Sequence, residues 1–565
     1  MDRLLKIFNK ESVNINQAAL FLGAFTLLSQ ILALFRDRSM AHFIGPSPSL
    51  DAYYAAFRVP DLIFISVASL ASFTVIIPFI IARMTARKDG NGFEVTDKAR
   101  KYLSDILTVF FIVMFLLSII AFILMPLLAS YIAPGFTEAT QGELILLSRI
   151  MLLSPILLGL SNLFGAVTQI FRKFFIYSLS PILYNVGIII GVIFLYPFFG
   201  IYGLAIGVVI GAFMHFGIQV WAAGSLGFKP RFSSSINFLD IKKAVFTSLP
   251  RTLGLAFNNI ALISIIALAS YLKSGSISVF NFAFNLQSVP LNIIGISYAV
   301  AAFPTMAKSV SLGKMDEFRS HLKSAARAIV FWSLPVIFLF IVVRAQIVRV
   351  ILGSGSFSWE NTRLVAASLA IFSVSILAQG MITLLSRAYY AKGDTRRPLI
   401  VNFSCSVLII ILSIFLSHLF ESVPMFRFFI ESILKVSDIA GTEVLMLPLA
   451  YSIGTIINSL LHWYFVRKDF MQGESFITKT FFQSLGASFF LGLVAYLSLN
   501  IFSPIFGTTT FWGVFLQGFI SGILGIASAI LVLHLLKNEE LKDIAKALHT
   551  KFWSTKVIAP PQEEL

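Results

Sequence analysis

About fourteen apolar stretches divide this chain, each near or beyond the roughly 20 residues that cross a bilayer as a helix. They occupy residues 17–36, 52–82, 105–132, 144–170, 176–196, 199–222, 245–272, 277–306, 328–351, 363–388, 399–420, 444–466, 481–503 and 508–536. Lipid offers a backbone no hydrogen-bond partner, so each segment must satisfy its own, and the pattern predicts helices. The expected fold class is an all-α polytopic membrane protein with 14 transmembrane helices. Stretches beyond 25 residues imply tilt or extension into the interface.

Composition supports this reading. Of the 565 residues 57% are hydrophobic and only 12% are charged, against about 25% charged in soluble domains. No polar block is long enough to hold a soluble domain. The net charge of +16 raises nucleic acid as a partner, but no DNA- or RNA-binding motif accompanies it. The basic residues fit cytoplasmic loops facing anionic lipid instead. With the N-terminus inside, alternate connections carry 32 Lys and Arg on one side and seven on the other. That asymmetry places both termini in the cytoplasm. The first apolar run lacks a small-residue cleavage site and reads as a retained helix.

Several chemistries are missing. Cys405 is the only cysteine, and no Cys/His cluster has metal-ligand spacing. There is no phosphate-binding loop for ATP, no membrane-embedded carboxylate pair, no arginine ladder and no selectivity filter. Neither a catalytic residue nor a metal or cofactor is expected, and an enzyme or ATP-driven pump is set aside. Transport of a large substrate driven by a gradient or potential remains.

An internal repeat organises the spans. Asp51-Ala-Tyr-Tyr-Ala-Ala-Phe-Arg-Val-Pro60 resembles Val279-Phe-Asn-Phe-Ala-Phe-Asn-Leu-Gln-Ser-Val-Pro290, each aromatic-rich and ending in Val-Pro. Pro78 and Pro304 follow in turn. The pattern suggests an N-lobe over 1–222 (spans 1–6), a C-lobe over 223–480 (spans 7–12), an extra helix pair over 481–536 and a cytoplasmic tail over 537–565.

Charges inside apolar stretches are costly and mark candidate sites. Arg36 and Asp37 end span 1. Adjacent helix residues point about 100° apart, so they are not expected to pair face to face. Arg36 reads either as a cation at the top of a cavity or as an interfacial arginine reaching the head groups. Arg58 and Asp61 flank Pro60 with the i, i+3 spacing of one helix side, either as a site or as a local ion pair. Arg251 opens span 7 after Pro250, interfacial or functional. Asn258, Asn259 and Asn285 lie deeper, suited to a substrate or to interhelical hydrogen bonds. Arg149 and His215 read as satisfied or packing groups. The turn Arg387 to Pro398 reads as helix capping and ion pairing, Glu421–Lys435 as an interfacial helix, and Glu539–Phe552 as either an interfacial helix or a solvated end.

Several of these segments together resemble the MurJ/MviN family of lipid II flippases, in the multidrug/oligosaccharidyl-lipid/polysaccharide exporter superfamily. They are Leu28-Ser-Gln-Ile-Leu-Ala-Leu-Phe-Arg-Asp37, Gly45, Asp51 to Pro60, Ala133-Pro-Gly-Phe136, the start of span 5 with Asn185, and Leu385 to Pro398. The resemblance implies two six-helix lobes around a cavity that opens alternately to each side, with spans 13–14 forming a groove for a polyprenyl tail. It implies a lipid-linked substrate, membrane lipids and cell-wall synthesis proteins as partners, in the bacterial cytoplasmic membrane. The family's functional positions carry over to Arg36, Asp37, Asp51 and Arg58, and weaker assignments fall on Arg251 and Asn285. Where the family usually has arginine this chain has Gln30, Phe64 and Asn285, so its cavity is less cationic. The expected function is translocation of a polyprenyl-diphosphate-linked peptidoglycan precursor. The alternatives are another lipid-linked oligosaccharide or a cationic drug as cargo, or a transport-dead scaffold for cell-wall assembly.

Overall fold

The computed structural model describes residues 15–68, 80–86, 93–171, 173–228, 231–233, 235–238, 242, 257, 259–473, 476–507 and 509–552. The first part of the chain forms α1 (Ile15–Phe43), α2 (Pro48–Ala56) and α3 (Arg58–Ala68). A short antiparallel ribbon of β1 (Thr85–Ala86) and β2 (Phe93–Glu94) precedes α4 (Asp97–Ile132). Then come α5 (Glu138–Met151), α6 (Leu153–Ile170), α7 (Phe174–Ile190) and α8 (Ile201–Ser225). The middle of the chain holds α9 (Asn259–Ala269), α10 (Ser276–Pro290), α11 (Ser297–Ser311), α12 (Met315–Val342) and α13 (Arg344–Leu352). It is followed by α14 (Trp359–Val374), α15 (Ile376–Ala391), α16 (Arg396–Ser422), α17 (Pro424–Leu434) and α18 (Met446–Phe470). The chain closes with α19 (Thr478–Phe506), α20 (Phe511–Leu535) and α21 (Glu539–Phe552).

Local chemistry sets many helix ends. Ser47 accepts a hydrogen bond from the Leu50 N–H with Pro48 in the first turn, and Thr96, Thr137 and Thr510 cap α4, α5 and α20 in the same way. A short side-chain oxygen satisfies an N–H that has no partner inside the helix. Pro60 sits in the first turn of α3, just after the break at Phe57, where a missing N–H costs least. The second Val-Pro is also a point of irregularity, since a π-helical turn, Leu291–Ile296, follows Pro290.

Among the described residues ten helices are long and apolar enough to cross a membrane, and α14 with α15 counts as an eleventh, broken span. These eleven match expected spans 3–6 and 8–14. The other three fall at α1, at α2 with α3, and at α9. Pro78 and Asn258 lie outside the described residues.

The helices pack as two compact units. The first comprises Met1–Val289, Val348–Phe372 and Gly393–Asn458. In it α7 and α8 meet backbone to backbone along a stripe of glycines. A Cβ on Gly187 would lie 2.2 Å from the Gly211 Cα, and one on Gly191 2.7 Å from the Gly207 Cα. Small residues allow this approach, which takes the place of a hydrophobic drive between helices in lipid. An apolar cluster including Phe110, Met114, Leu163 and Phe164 joins α4 to α6.

The second unit comprises Pro290–Ile347, Ser373–Lys392 and Ser459–Leu565. Its main core joins α11, α12, α15 and the end of α18 through Phe318, Leu322, Leu385, Tyr389 and Phe470. Phe331, Leu491, Ala529 and Leu533 join α12 to α19 and α20, and Leu541 and Ile544 of α21 pack on that cluster. At the start of α21 Glu539 pairs with Lys479 at 2.6 Å, and Glu540 accepts from Thr480 Oγ1 at 2.6 Å. Both candidate interfacial segments are helical, as α17 and α21. Met425, Phe428, Phe429 and Ile433 of α17 are exposed.

Candidate functional site

Three of the charges that interrupt the apolar segments of the first unit line a cavity of about 290 Å³. Arg36, Arg58 and Asp61 line it with Asn281, Asn285 and the rings of Tyr53, Tyr54 and Tyr184. α1, the α2–α3 break, α7 and α10 each contribute. The Phe57 break turns Arg58 and Asp61 into the same space as Arg36.

Arg36 and Asp37 do pair, against the expectation from helical geometry. Arg36 Nε and Nη2 both donate to Asp37 Oδ1, at 2.9 and 2.8 Å. The 100° step separates Cα–Cβ directions, but an arginine's long stem can curl back to a carboxylate one residue away. The remaining terminal nitrogen, Nη1, donates to Asn185 Oδ1 at 3.3 Å. Asn185 is itself held by its Nδ2, which donates to Ser29 Oγ at 3.3 Å and to the Pro181 carbonyl at 3.2 Å. From α10, Asn285 Nδ2 donates to Asp37 Oδ2 at 3.0 Å. Asp37 is thus 2% exposed with both oxygens engaged.

Arg58 does not close on Asp61. Its Nη2 donates to Asn281 Oδ1 at 3.1 Å, and Asn281 Nδ2 donates to the Ile277 carbonyl one turn back. Arg58 Nε is buried without a partner, and among the described residues the Asp61 carboxylate makes no hydrogen bond or ion pair. A buried guanidinium nitrogen left unbonded is costly.

Asp51 stands elsewhere. It does not line the cavity and is 3% exposed. Its Oδ2 accepts from the Gly275 N–H at 2.7 Å, and its Oδ1 accepts from the Ser278 N–H at 2.7 Å and the Ser278 hydroxyl at 2.6 Å. A carboxylate on α2 therefore caps the N-terminus of α10, where orphan N–H groups and the helix dipole favour an anion. Nearby, Arg38 Nη1 donates to the carbonyls of Val350 and Ile351 at 2.6 and 3.1 Å, and the Ser356 N–H donates to the His42 carbonyl at 2.9 Å. Gly355, at φ +57°, allows this last approach, since a Cβ there would fall 2.2 Å from the His42 oxygen. These contacts tie the end of α1 and the start of α2 to the segments before α10 and α14.

Of the six residues singled out in the sequence, Arg36, Asp37 and Asn285 form one hydrogen-bonded knot, and Arg58 lies in the same cavity. Asp51 caps a helix, and Arg251 lies outside the described residues. Asn185 and Asn281, which position the two arginines, were not picked out as site residues. Their signal was an amide within an apolar run. Arg149 is satisfied, its Nε on the Phe122 carbonyl at 3.1 Å and its guanidinium over the Phe122 ring. Asp394 caps α16 by accepting from the Arg396 and Arg397 N–H groups.

Apolar helices enclosing a polar, charged cavity define a multi-pass membrane transporter. The chain belongs to the lipid II flippase MurJ family, whose pattern matches residues 40–516. It is 27% identical over 392 residues to a probable lipid II flippase MurJ of Rhizobium tropici, covering 67% of this chain and 71% of that protein. It is 24% identical over 498 residues to a lipid II flippase MurJ of Burkholderia cenocepacia, covering 86% and 91%. A solved structure of lipid II flippase MurJ in an inward closed conformation shares the fold, with TM-score 0.71 and 22% identity over 93% of this chain and all of the other.

Proposed function

We propose that this protein is a flippase that carries lipid II, a polyprenyl-diphosphate-linked peptidoglycan precursor, across the bacterial cytoplasmic membrane by alternating access. The observation that carries the reading is a cavity inside a membrane-spanning unit that presents two arginines with donors to spare. Arg58 Nε has no partner and Arg36 Nη1 has only a 3.3 Å bond to Asn185. A diphosphate entering between them accepts charge-assisted hydrogen bonds worth about 1.5–3 kcal/mol each. Asp37 holds Arg36 in place, and Asn281 holds Arg58. The polyprenyl tail stays in lipid, while the head group crosses past the two arginines.

The remaining parts follow the same reading. Residues 1–222 and 223–480 act as lobes, and spans 13–14 receive the tail. Both termini face the cytoplasm, on the strength of the 32-to-7 loop asymmetry. The knot of Asp51, Arg38 and Ser356 then lies at the outer end and holds that end closed. Asp51 acts in gating, and Arg251 contributes a further contact at the start of span 7. Cell-wall synthesis proteins are the expected neighbours. The protein performs no covalent chemistry on its cargo.

One feature favours a second cargo. Arg36 is matched by Asp37, Arg58 by Asp61, and Asn285 is neutral, so the cavity carries no formal excess of positive charge. A less anionic lipid-linked oligosaccharide fits such a wall. Depletion of the essential lipid II flippase in a bacterium carrying this gene separates the two. Rescue with lipid II exposed at the cell surface is the expected result. Correct insertion without rescue or export would overturn lipid II as the cargo.

A further inference from the structure

A second cavity of the first unit, about 380 Å³, lies between α1, α6, α7 and α8. Its lining carries no Asp, Glu, Lys or Arg. It offers no counter-charge to a cation or to an anion. What it offers is neutral hydrogen bonding at membrane depth, with aromatic surface from Phe25 and Tyr177.

Three of the polar groups lack partners. The side-chain amides of Gln30 and Asn162 make no hydrogen bond among the described residues, and the same holds for His215 Nε2. Bare polar groups in an apolar setting are expensive unless water or a ligand meets them. The groups behind them are fixed. Ser161 Oγ bonds to His215 Nδ1 at 2.6 Å and donates to the His215 carbonyl at 3.0 Å. Gln219 donates to Ser180 Oγ at 2.7 Å and accepts from Thr168 Oγ1 at 3.0 Å. Ordered supports behind unpaired amides are the makings of a preorganised polar site.

This cavity adjoins the charged one through a single residue. Ser29 lines it and accepts from Asn185, whose carbonyl oxygen accepts from Arg36. Gln30 precedes Arg36 by six residues, about 9 Å along α1. A sugar joined directly to a diphosphate has that reach.

We propose that this cavity is a subsite for the uncharged, hydroxyl- and amide-bearing part of the cargo, the glycan of the lipid-linked head group, while Arg36 and Arg58 take the diphosphate. The proposal rests on the flippase reading above and adds to it a division of the head group by chemistry. It also gives Gln30 a use, as a neutral amide facing sugar where the family usually places arginine. The hydroxyls and amides of a glycan satisfy Gln30, Asn162 and His215 together, and the aromatic rings cover its apolar face.

The test uses the full-length protein in lipid nanodiscs and measures binding of three probes by native mass spectrometry. The probes are lipid II, undecaprenyl diphosphate, which lacks the glycan, and a free disaccharide. Wild type is expected to hold lipid II more tightly than undecaprenyl diphosphate. Gln30→Met and Asn162→Leu are each expected to weaken lipid II by about tenfold, the loss of one hydrogen bond within the cavity, with undecaprenyl diphosphate unchanged. That unchanged arm reports that the variants fold. Gln30→Met is the milder change, since Gln30 is half-exposed and unbonded. Equal wild-type affinity for the two lipids, or variants that keep the full margin, would overturn the subsite and leave the flippase reading standing. Wild type that binds neither lipid would overturn both. Tight binding of the free disaccharide at the same residues would assign the cavity to a soluble sugar and overturn the head-group assignment.

Discussion

Removing the Asp51 carboxylate is expected to open the contact between α2 and the N-terminus of α10. Asp51 receives three hydrogen bonds from Gly275 and Ser278, at 2.6 to 2.7 Å. Asp51→Ala leaves two buried N–H groups at the start of α10 without a partner, each costing roughly 1–3 kcal/mol. Set against the relief of no longer burying a carboxylate, the net loss is about 2–4 kcal/mol, or roughly a 30- to 700-fold shift in an equilibrium. A closed state favoured 99 to 1 is held by only about 2.7 kcal/mol. From such a balance the alanine variant raises the open state to between about a quarter and nine-tenths of the population. Asn is nearly as good a cap as Asp, so Asp51→Asn is expected to shift the balance by only about fivefold. The assay is the distance between spin labels at Phe43 and Trp359, both exposed, in a Cys405→Ser background. Wild type gives one short distance, Asp51→Asn a minor long component, and Asp51→Ala a much larger one. An alanine variant with the wild-type distribution would refute the capping argument.

Other consequences follow from single contacts. Arg58→Ala and Arg36→Ala are each expected to weaken binding of undecaprenyl diphosphate by about 10- to 150-fold, one charge-assisted hydrogen bond, read by titration in nanodiscs. Asn285→Arg adds a cation beside Asp37 and is expected to strengthen the same binding by a similar factor. Gly187→Ala drives a methyl into the Gly211 backbone and is expected to destabilise by about 1–3 kcal/mol, checked by denaturant unfolding in detergent. The ammonium of Lys479 holds the Glu539 carboxyl below its ordinary value of 4.5. Its contribution to docking α21 is therefore full above that value and fades as the pH falls through the lower, docked one. A spin label at Ala545 is expected to gain a little mobility on acidification and to a similar extent in Lys479→Ala, because Leu541, Ile544 and the Thr480–Glu540 bond still hold the helix.

The helices were legible because a long apolar run in lipid must satisfy its own backbone hydrogen bonds. Arg36, Asp37 and Arg58 were legible for the same reason, since charge within an apolar run has few bland explanations. Their pairings were not. The Arg36–Asp37 bond depends on how a flexible side chain curls, which helix periodicity does not describe. Asp51 was singled out by the family resemblance alone, and its capping role was hidden because the N–H groups it caps lie more than 220 positions along the chain. Asn185 and Asn281 were hidden because an amide in a membrane helix more often bonds to a neighbouring helix than to cargo, and here each does the first in order to position an arginine.

On the proposed reading Arg36 and Arg58 carry a lipid diphosphate through this protein. The most direct measurement is the movement of fluorescent lipid II between leaflets of vesicles holding the purified protein, with wild type beside Arg36→Ala, Arg58→Ala and the double variant. The expected result is translocation by wild type, partial loss in each single variant and loss to the protein-free rate in the double. Translocation by the double variant at the wild-type rate would contradict it.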